Sequence, residues 1–144
     1  MIAILDRTAA ALIKVQDKAT GLWYQILDLP ERTGNYLEAS ASAMFVYSFA
    51  KAVREGYLGQ DYLLSARRAY HGLLQNLIKI DSQGLLTLEK VCGGAGLGGE
   101  PYRDGSFEYY VTEKIIPNDP KGVGPFILAA LEMEQAGVNG EMIA

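Results

Sequence analysis

The chain has 144 residues, with 13 basic and 17 acidic side chains and a formal net charge of −4. That length is one domain's worth and can bury a core, while the mildly acidic balance without any arginine-rich run argues against a nucleic-acid partner. The single His71 cannot build a histidine metal site and the single Cys92 cannot close an internal disulfide. There is no secretory pattern at Met1 and no apolar run near the ~20 residues of a membrane span, so a cytoplasmic protein without metal or cofactor is expected.

Taken in order, Ile2 to Asp17 places Ile2, Leu5, Ala9, Leu12, Ile13 and Gln16 at three-four spacing, the pattern of an amphipathic helix. Thr20-Gly21 stops it, Leu22 to Leu27 reads as extended, and Asp28 to Asn35 is turn material. Gly34 to Arg54 is the organising stretch, with a buried central helix expected from Glu38 onward. It opens with small residues (Ala39 to Ala43) and turns apolar on every side through Met44, Phe45, Val46, Tyr47 and Phe49. Such a helix is expected to be covered all round, with another backbone or a cavity against its small N-terminal end. Lys51 and Arg54 suit its C-terminus and Gly56 stops it.

A second amphipathic helix is expected from about Asp61, as N-cap, to Ile78, with a stripe of Leu63, Ala66, Tyr70, Leu73, Leu74 and Leu77. Asp81-Ser82-Gln83-Gly84 is a turn signature, and the alternation from Leu85 to Cys92 predicts a small hairpin. Gly93 to Gly99 contains G-x-G-x-x-G, but turn residues follow where a dinucleotide site needs a helix, so the run reads as a bent loop. Ser106 caps a short helix to Lys114. Pro125 fits the first turn of a last apolar helix, Phe126 to Ala136, and Val138 to Ala144 are expected to fray. Outer, inner, outer, hairpin and inner elements suggest stacked αα-hairpins, an all-α fold with a small β insertion.

Four strings carry a resemblance: T-G-L-W-Y-Q (Thr20 to Gln25), G-N-Y-L-E-A-S-A-S-A-M-F-V-Y (Gly34 to Tyr47), G-L-G-G-E-P-Y-R-D-G-S-F-E-Y-Y (Gly96 to Tyr110) and N-D-P-K-G-V-G-P-F-I-L-A (Asn118 to Ala129). Together they resemble glycoside hydrolase family 105, the unsaturated rhamnogalacturonyl hydrolases, over almost the whole chain. The resemblance implies that residues 1–144 are one partial domain, the C-terminal portion of an (α/α)6 barrel. It also implies a substrate class, pectin-derived oligosaccharides ending in a 4,5-unsaturated uronic acid. In that chemistry an aspartic acid protonates the enol ether, water adds to the adjacent carbon, and the hemiketal collapses to release the next sugar.

The family's acid belongs to the N-terminal part, and no position here matches its motif, so no catalytic residue is assigned. Asp104, in R-D-G, reads as a cap of the following helix or a partner of Arg103. By the barrel's loop positions the resemblance points to Trp23, Tyr24, Glu38, Ser40, Tyr102, Arg103, Lys121 and Gly122 as substrate-binding residues. Aromatic faces suit a pyranose, and Arg or Lys suits the uronate carboxylate. Packing for Trp23 and Tyr24, capping for Glu38 and solvation for Lys121 stand as the other readings. The expected function is therefore the C-terminal part of an unsaturated-uronyl hydrolase, inactive alone. The alternative is a non-catalytic carbohydrate-binding or self-associating remnant, and self-association through uncovered inner helices is expected in either case.

Overall fold

The computed structural model describes residues 1–137, arranged as α1 (Ile2–Lys14), α2 (Ala39–Arg54), α3 (Gln60–Asn76), β1 (Ile78–Ile80), β2 (Leu86–Leu88), α4 (Phe107–Thr112) and α5 (Pro120–Gln135). Four long helices and one two-stranded hairpin match the expected all-α fold with a small β insertion. The expected fraying of Val138 to Ala144 lies outside the described residues.

Helix α2 is the axis of the packing. Its small residues Ala39, Ser42 and Ala43 are fully buried, and backbone does approach them. Trp23 donates its N–H to Ser42 Oγ at 3.1 Å, and Ala39 donates its own to the Lys90 carbonyl at 3.0 Å. Further along, Val46, Phe49 and Val53 fill the core between α2, α3 and α5. The expectation of cover on every side is corrected: Met44, Ser48 and Lys51, spaced by four and three, leave one face of α2 open. Among the described residues α3, α5, the 22–23 segment and residues 90–92 flank the helix.

α2 and α5 run parallel. Their N-terminal ends share one contact strip, since Cys92 binds Glu38 while Val91 packs on Gly122. Their C-terminal ends are joined by Arg54, whose guanidinium donates to both carboxylate oxygens of Glu132 at 2.8 and 3.0 Å. α3 returns antiparallel behind them, stacking Tyr70 on Phe126 with ring centroids 6.2 Å apart.

The 20–22 segment passes so close to α3 that a Cβ on Gly72 would lie 2.0 Å from the Thr20 carbonyl oxygen, so only glycine fits there. Gln16, counted above in an apolar stripe, is instead a buried polar clamp. Its amide donates to the Gly21 and Ser65 carbonyls and accepts from Ser65 Oγ and Arg68, both at 2.6 Å. All its polar capacity is thereby met inside the protein, which is what makes its burial tolerable.

Two helix starts differ from the reading above. α3 begins at Gln60 with Gly59 as N-cap, which puts Asp61 in the first turn, where its charge suits the helix dipole. α5 begins at Pro120, five residues before Pro125. Asp119 is the N-cap, its carboxylate accepting from Lys121 N–H, and Pro120 takes the N1 position. Pro125 thus sits inside the helix, where it lacks the N–H that would bond the Lys121 carbonyl.

Candidate functional site

The N-terminal ends of α2 and α5 form one face with the strip 88–93 between them. Asn118 clamps this strip, donating its N–H to the Leu88 carbonyl and accepting the Leu88 N–H on its side-chain oxygen. Ile116 N–H binds the Val91 carbonyl at 2.9 Å, and Gly93 N–H binds the Lys114 carbonyl at 2.7 Å. The glycine loop that follows, 93–105, is rooted at the same face.

Glu38 is the centre of that face and is only 2% exposed. One carboxylate oxygen accepts from Ala41 N–H at 2.6 Å and the other from Cys92 N–H at 2.9 Å, while Ser40 Oγ donates at 2.9 Å to both. A carboxylate has about four acceptor sites, and three protein donors engage this one: Ala41 N–H, Cys92 N–H and the single Ser40 hydroxyl proton. Glu38 and Ser40 are therefore placed as an N-cap that ties α2 to the strip, with the Glu38 carboxylate buried beneath it.

Trp23 is likewise turned inward, with 0% exposure. Its indole N–H donates to the Leu12 carbonyl at 2.8 Å. Phe45 and Phe49 meet the ring in edge geometry, and no ring face is open to a pyranose. Gly122 is a packing position too, since a Cβ there would stand 2.5 Å from Val91 Cγ2.

The remaining four residues keep polar or aromatic surface. Tyr24 pairs with Leu37 across an isolated bridge and lines a groove of about 550 Å³ with Asp17, Leu27, Asp28, Pro30 and Glu31. None of the other seven candidates lines this groove. Burial, followed by the charges of Asp17 and Glu31, pushes the Tyr24 phenol up. Lys121 is half exposed at the start of α5 and pairs with Asp119 at 2.7 Å. Tyr102 is 76% exposed.

Arg103 has the most informative surroundings. The glycine loop folds back on it: Gly98 and Arg103 exchange backbone hydrogen bonds at 2.9 and 3.3 Å. Its Nε donates to the Gly98 carbonyl at 2.8 Å, and a Cβ on Gly96 would lie 2.7 Å from Arg103 Nη1. The glycines are needed because the guanidinium lies against their backbone. Among the described residues Arg103 forms no ion pair, so its charge rests on neutral carbonyls and keeps donors for an anion.

Asp104, next to it, does not pair with Arg103. Its carboxylate accepts Ser106 N–H at 2.9 Å, and Ser106 in turn caps α4 through Tyr109 N–H. The Ser106 N–H and hydroxyl hold the Asp104 carboxyl below the usual carboxylate range. An acid that must arrive protonated near neutral pH needs the opposite shift.

Three residues of this face were not singled out from the sequence. Tyr36 is buried with its hydroxyl lacking a partner among the described residues, and burial first, then Cys92 and Glu38, push its pKa up. The Cys92 thiol accepts from Gln25 Nε2 at 3.5 Å. Tyr109 Oη accepts Gly96 N–H at 3.1 Å and so pins the glycine loop to α4. Tyr36 and Cys92 are 56 positions apart in the chain and their proximity has no sequence signal. Tyr109 did carry one, since it follows a glycine loop that needed an anchor.

Comparison with known proteins places this geometry. The family model described as Glycosyl Hydrolase Family 88 matches residues 1–136. A family 105 glycoside hydrolase structure from C. acetobutylicum is 52% identical, with a TM-score of 0.90, over 93% of this chain and 37% of that one. A structure from Klebsiella pneumoniae, described as a possible member of family 105, is 36% identical with a TM-score of 0.76, over 94% of this chain and 32% of that one. The 24.9 kDa protein in the picA locus of Rhizobium radiobacter is 43% identical over 132 residues, which is 88% of this chain and 56% of that protein. The chain thus spans about half the length of this curated relative and about a third of the solved structures. It belongs to the glycosyl hydrolases described by the family 88 model, with family 105 as its assignment, and its long helices are part of that family's (α/α) barrel.

Proposed function

We propose that residues 1–144 form a single partial domain, the C-terminal portion of an unsaturated rhamnogalacturonyl hydrolase-like glycosidase. In this reading the chain supplies a substrate-holding wall for a 4,5-unsaturated uronic acid at the end of a pectin-derived oligosaccharide. The observation that carries it is Arg103. In a chain of this family, a cation lies on the Gly98 and Leu97 carbonyls without a carboxylate partner among the described residues, in a loop rooted where the inner helices begin. A uronate carboxylate is the anion such a fork recognises. Tyr102 beside it offers an exposed aromatic face for a sugar ring. Lys121, paired with Asp119 at 2.7 Å, is a second cation within the same N-terminal face.

The enol-ether hydration needs a proton donor, and the chain's residues argue against one at Asp104. That carboxyl is exposed, held ionised by Ser106, and occupied with a turn. The expected behaviour is binding without turnover. The test follows the ultraviolet absorbance of the conjugated uronate in unsaturated rhamnogalacturonan disaccharide mixed with the 144-residue chain. Unchanged absorbance is expected; loss at an enzyme-like rate, abolished by Asp104→Asn, would overturn the assignment of Asp104 as structural.

A further inference from the structure

Residues 94–114 leave the strip and return to it. Their two legs are joined at the root, where Gly93 N–H donates to the Lys114 carbonyl, Ile116 N–H donates to the Val91 carbonyl, and Cys92 faces Ile115 across an antiparallel bridge. Inside the excursion the chain braces itself. Gly98 and Arg103 exchange backbone hydrogen bonds, Tyr109 Oη accepts Gly96 N–H, and Asp104 and Ser106 tie the loop to the start of α4. Among the described residues, the hydrogen bonds of 95–113 stay within that segment with one exception: the Arg32 guanidinium donates to the Glu108 carboxylate. The same guanidinium lies over the Phe107 ring, 3.9 Å from its centroid.

Arg32 is itself held in place. Its N–H donates to the Leu29 carbonyl and its carbonyl accepts Asn35 N–H, both at 3.1 Å. The Asn35 side chain closes the turn onto Ile26 and Leu29. Gln25 N–H to the Tyr36 carbonyl and Glu38 N–H to the Trp23 carbonyl then join this turn to the start of α2. Val111 rests on the same turn, since a Cβ on Gly34 would lie 3.5 Å from Val111 Cγ2. A segment braced within and joined to the body at few points opens and closes as one unit.

We infer that Arg32 is a positioning residue for Arg103: it fastens the braced 94–114 unit to the 28–35 turn, and so fixes the Arg103 guanidinium relative to the face where α2 and α5 begin. The two arginines have different roles. Arg32 is neutralised by Glu108, whereas Arg103 has no carboxylate partner among the described residues. Only a planar guanidinium can pair with a carboxylate along its edge and lie flat on a ring at once; an ammonium is a point charge. The consequence for sugar binding rests on the uronate reading above, and the joint itself does not.

Amide exchange read by mass spectrometry on the 144-residue chain tests the joint. In Arg32→Met, amides across 96–112 should exchange roughly 3- to 30-fold faster as one block, the combined effect of losing an exposed ion pair and a cation–π contact. The rates in α2, α3 and α5 should hold. Arg32→Lys should fall between, because it returns the charge without the planar stack. Salt at about 1 M should speed the block in the wild type, and do so less in Arg32→Met. Calorimetric titration with unsaturated rhamnogalacturonan disaccharide reads the consequence. Arg32→Met should weaken binding measurably, by up to the same factor, through the fraction of molecules with Arg103 in place. Beside Arg103→Gln it should add nothing, since Arg32 acts through Arg103. Four results would each overturn the positioning role: unchanged exchange across 96–112, acceleration spread equally over α2, binding lowered by Arg103→Gln but not by Arg32→Met, or an Arg32→Met loss that persists in full beside Arg103→Gln. Binding untouched by Arg103→Gln alone would overturn the uronate reading, while the exchange result still decides the joint.

Discussion

Removing the Glu38 carboxylate separates a helix cap from a ligand contact. Glu38→Ala deletes the acceptor of Ala41 N–H, of Cys92 N–H and of the Ser40 hydroxyl at a site that is 2% exposed. Loss of an N-cap costs about 1 kcal/mol, within 0.5–2. The buried Cys92 N–H left without an acceptor costs a further ~1–3 kcal/mol. Ser40 is half-buried and can turn its hydroxyl to solvent, so it adds little. The total is about 2–5 kcal/mol, and the strip 88–93 should loosen along with the start of α2. Glu38→Gln keeps one acceptor oxygen but turns an amide N–H₂ toward donors, so it should fall between the wild type and Glu38→Ala. Urea denaturation followed by circular dichroism reads the difference as a lower midpoint at unchanged slope. Amide exchange at Cys92 should accelerate in parallel. A Glu38→Ala midpoint within about 0.5 kcal/mol of wild type would refute the capping role and return Glu38 to the list of ligand contacts.

Ala43→Leu forces methylenes into a fully buried site on α2 and should cost ~1–3 kcal/mol, visible as a lower melting temperature; an unchanged melting temperature would show that α2 is not the packed centre. Arg54 chiefly, by its hydrogen bond, holds the Glu132 carboxyl below its ordinary value. A depressed folded-state value gives stability that is present above the unfolded carboxylate range and lost as pH falls through the folded value. In Arg54→Met the buried Glu132 loses that partner, so the acid unfolding midpoint should move to higher pH; an unmoved acid limb would show the pair to be without effect. Tyr109→Phe removes the acceptor of Gly96 N–H and should raise amide exchange in the glycine loop by roughly tenfold without changing global stability by more than about 1 kcal/mol.

The elements that were legible in the sequence are those whose period belongs to one segment. α1, α2 and the hairpin announced themselves through three-four spacing, small residues and the Asp81–Gly84 turn. The start of α5 did not, because Gly122 and Gly124 resemble loop residues. Only the contact of Gly122 with Val91 shows why a glycine belongs inside that helix. Cover of α2 was over-read for a different reason. An all-apolar segment implies cover on every side, whereas among the described residues Met44, Ser48 and Lys51 leave one face open.

At the candidate site, the strings around Glu38, Arg103 and Lys121 led to the face where α2 and α5 begin. They could not say which side chains were spent on structure. That division is set by a contact between residues far apart in sequence, Glu38 with Cys92, and by the fold of the glycine loop, which brings the Gly98 and Leu97 carbonyls to Arg103. Trp23 is the clearest case: an aromatic in a connection suits a sugar face, but Leu12, Phe45 and Phe49 occupy it.

Calorimetric titration of the 144-residue chain with unsaturated rhamnogalacturonan disaccharide, beside the same sugar with its carboxylate reduced to an alcohol, tests the uronate-holding role most directly. The account predicts measurable binding of the acid, weakened roughly tenfold or more by Arg103→Gln, and at least tenfold weaker binding of the alcohol, in keeping with loss of a charge-assisted hydrogen bond. Equal binding of the two sugars, or binding of the acid untouched by Arg103→Gln, would contradict it.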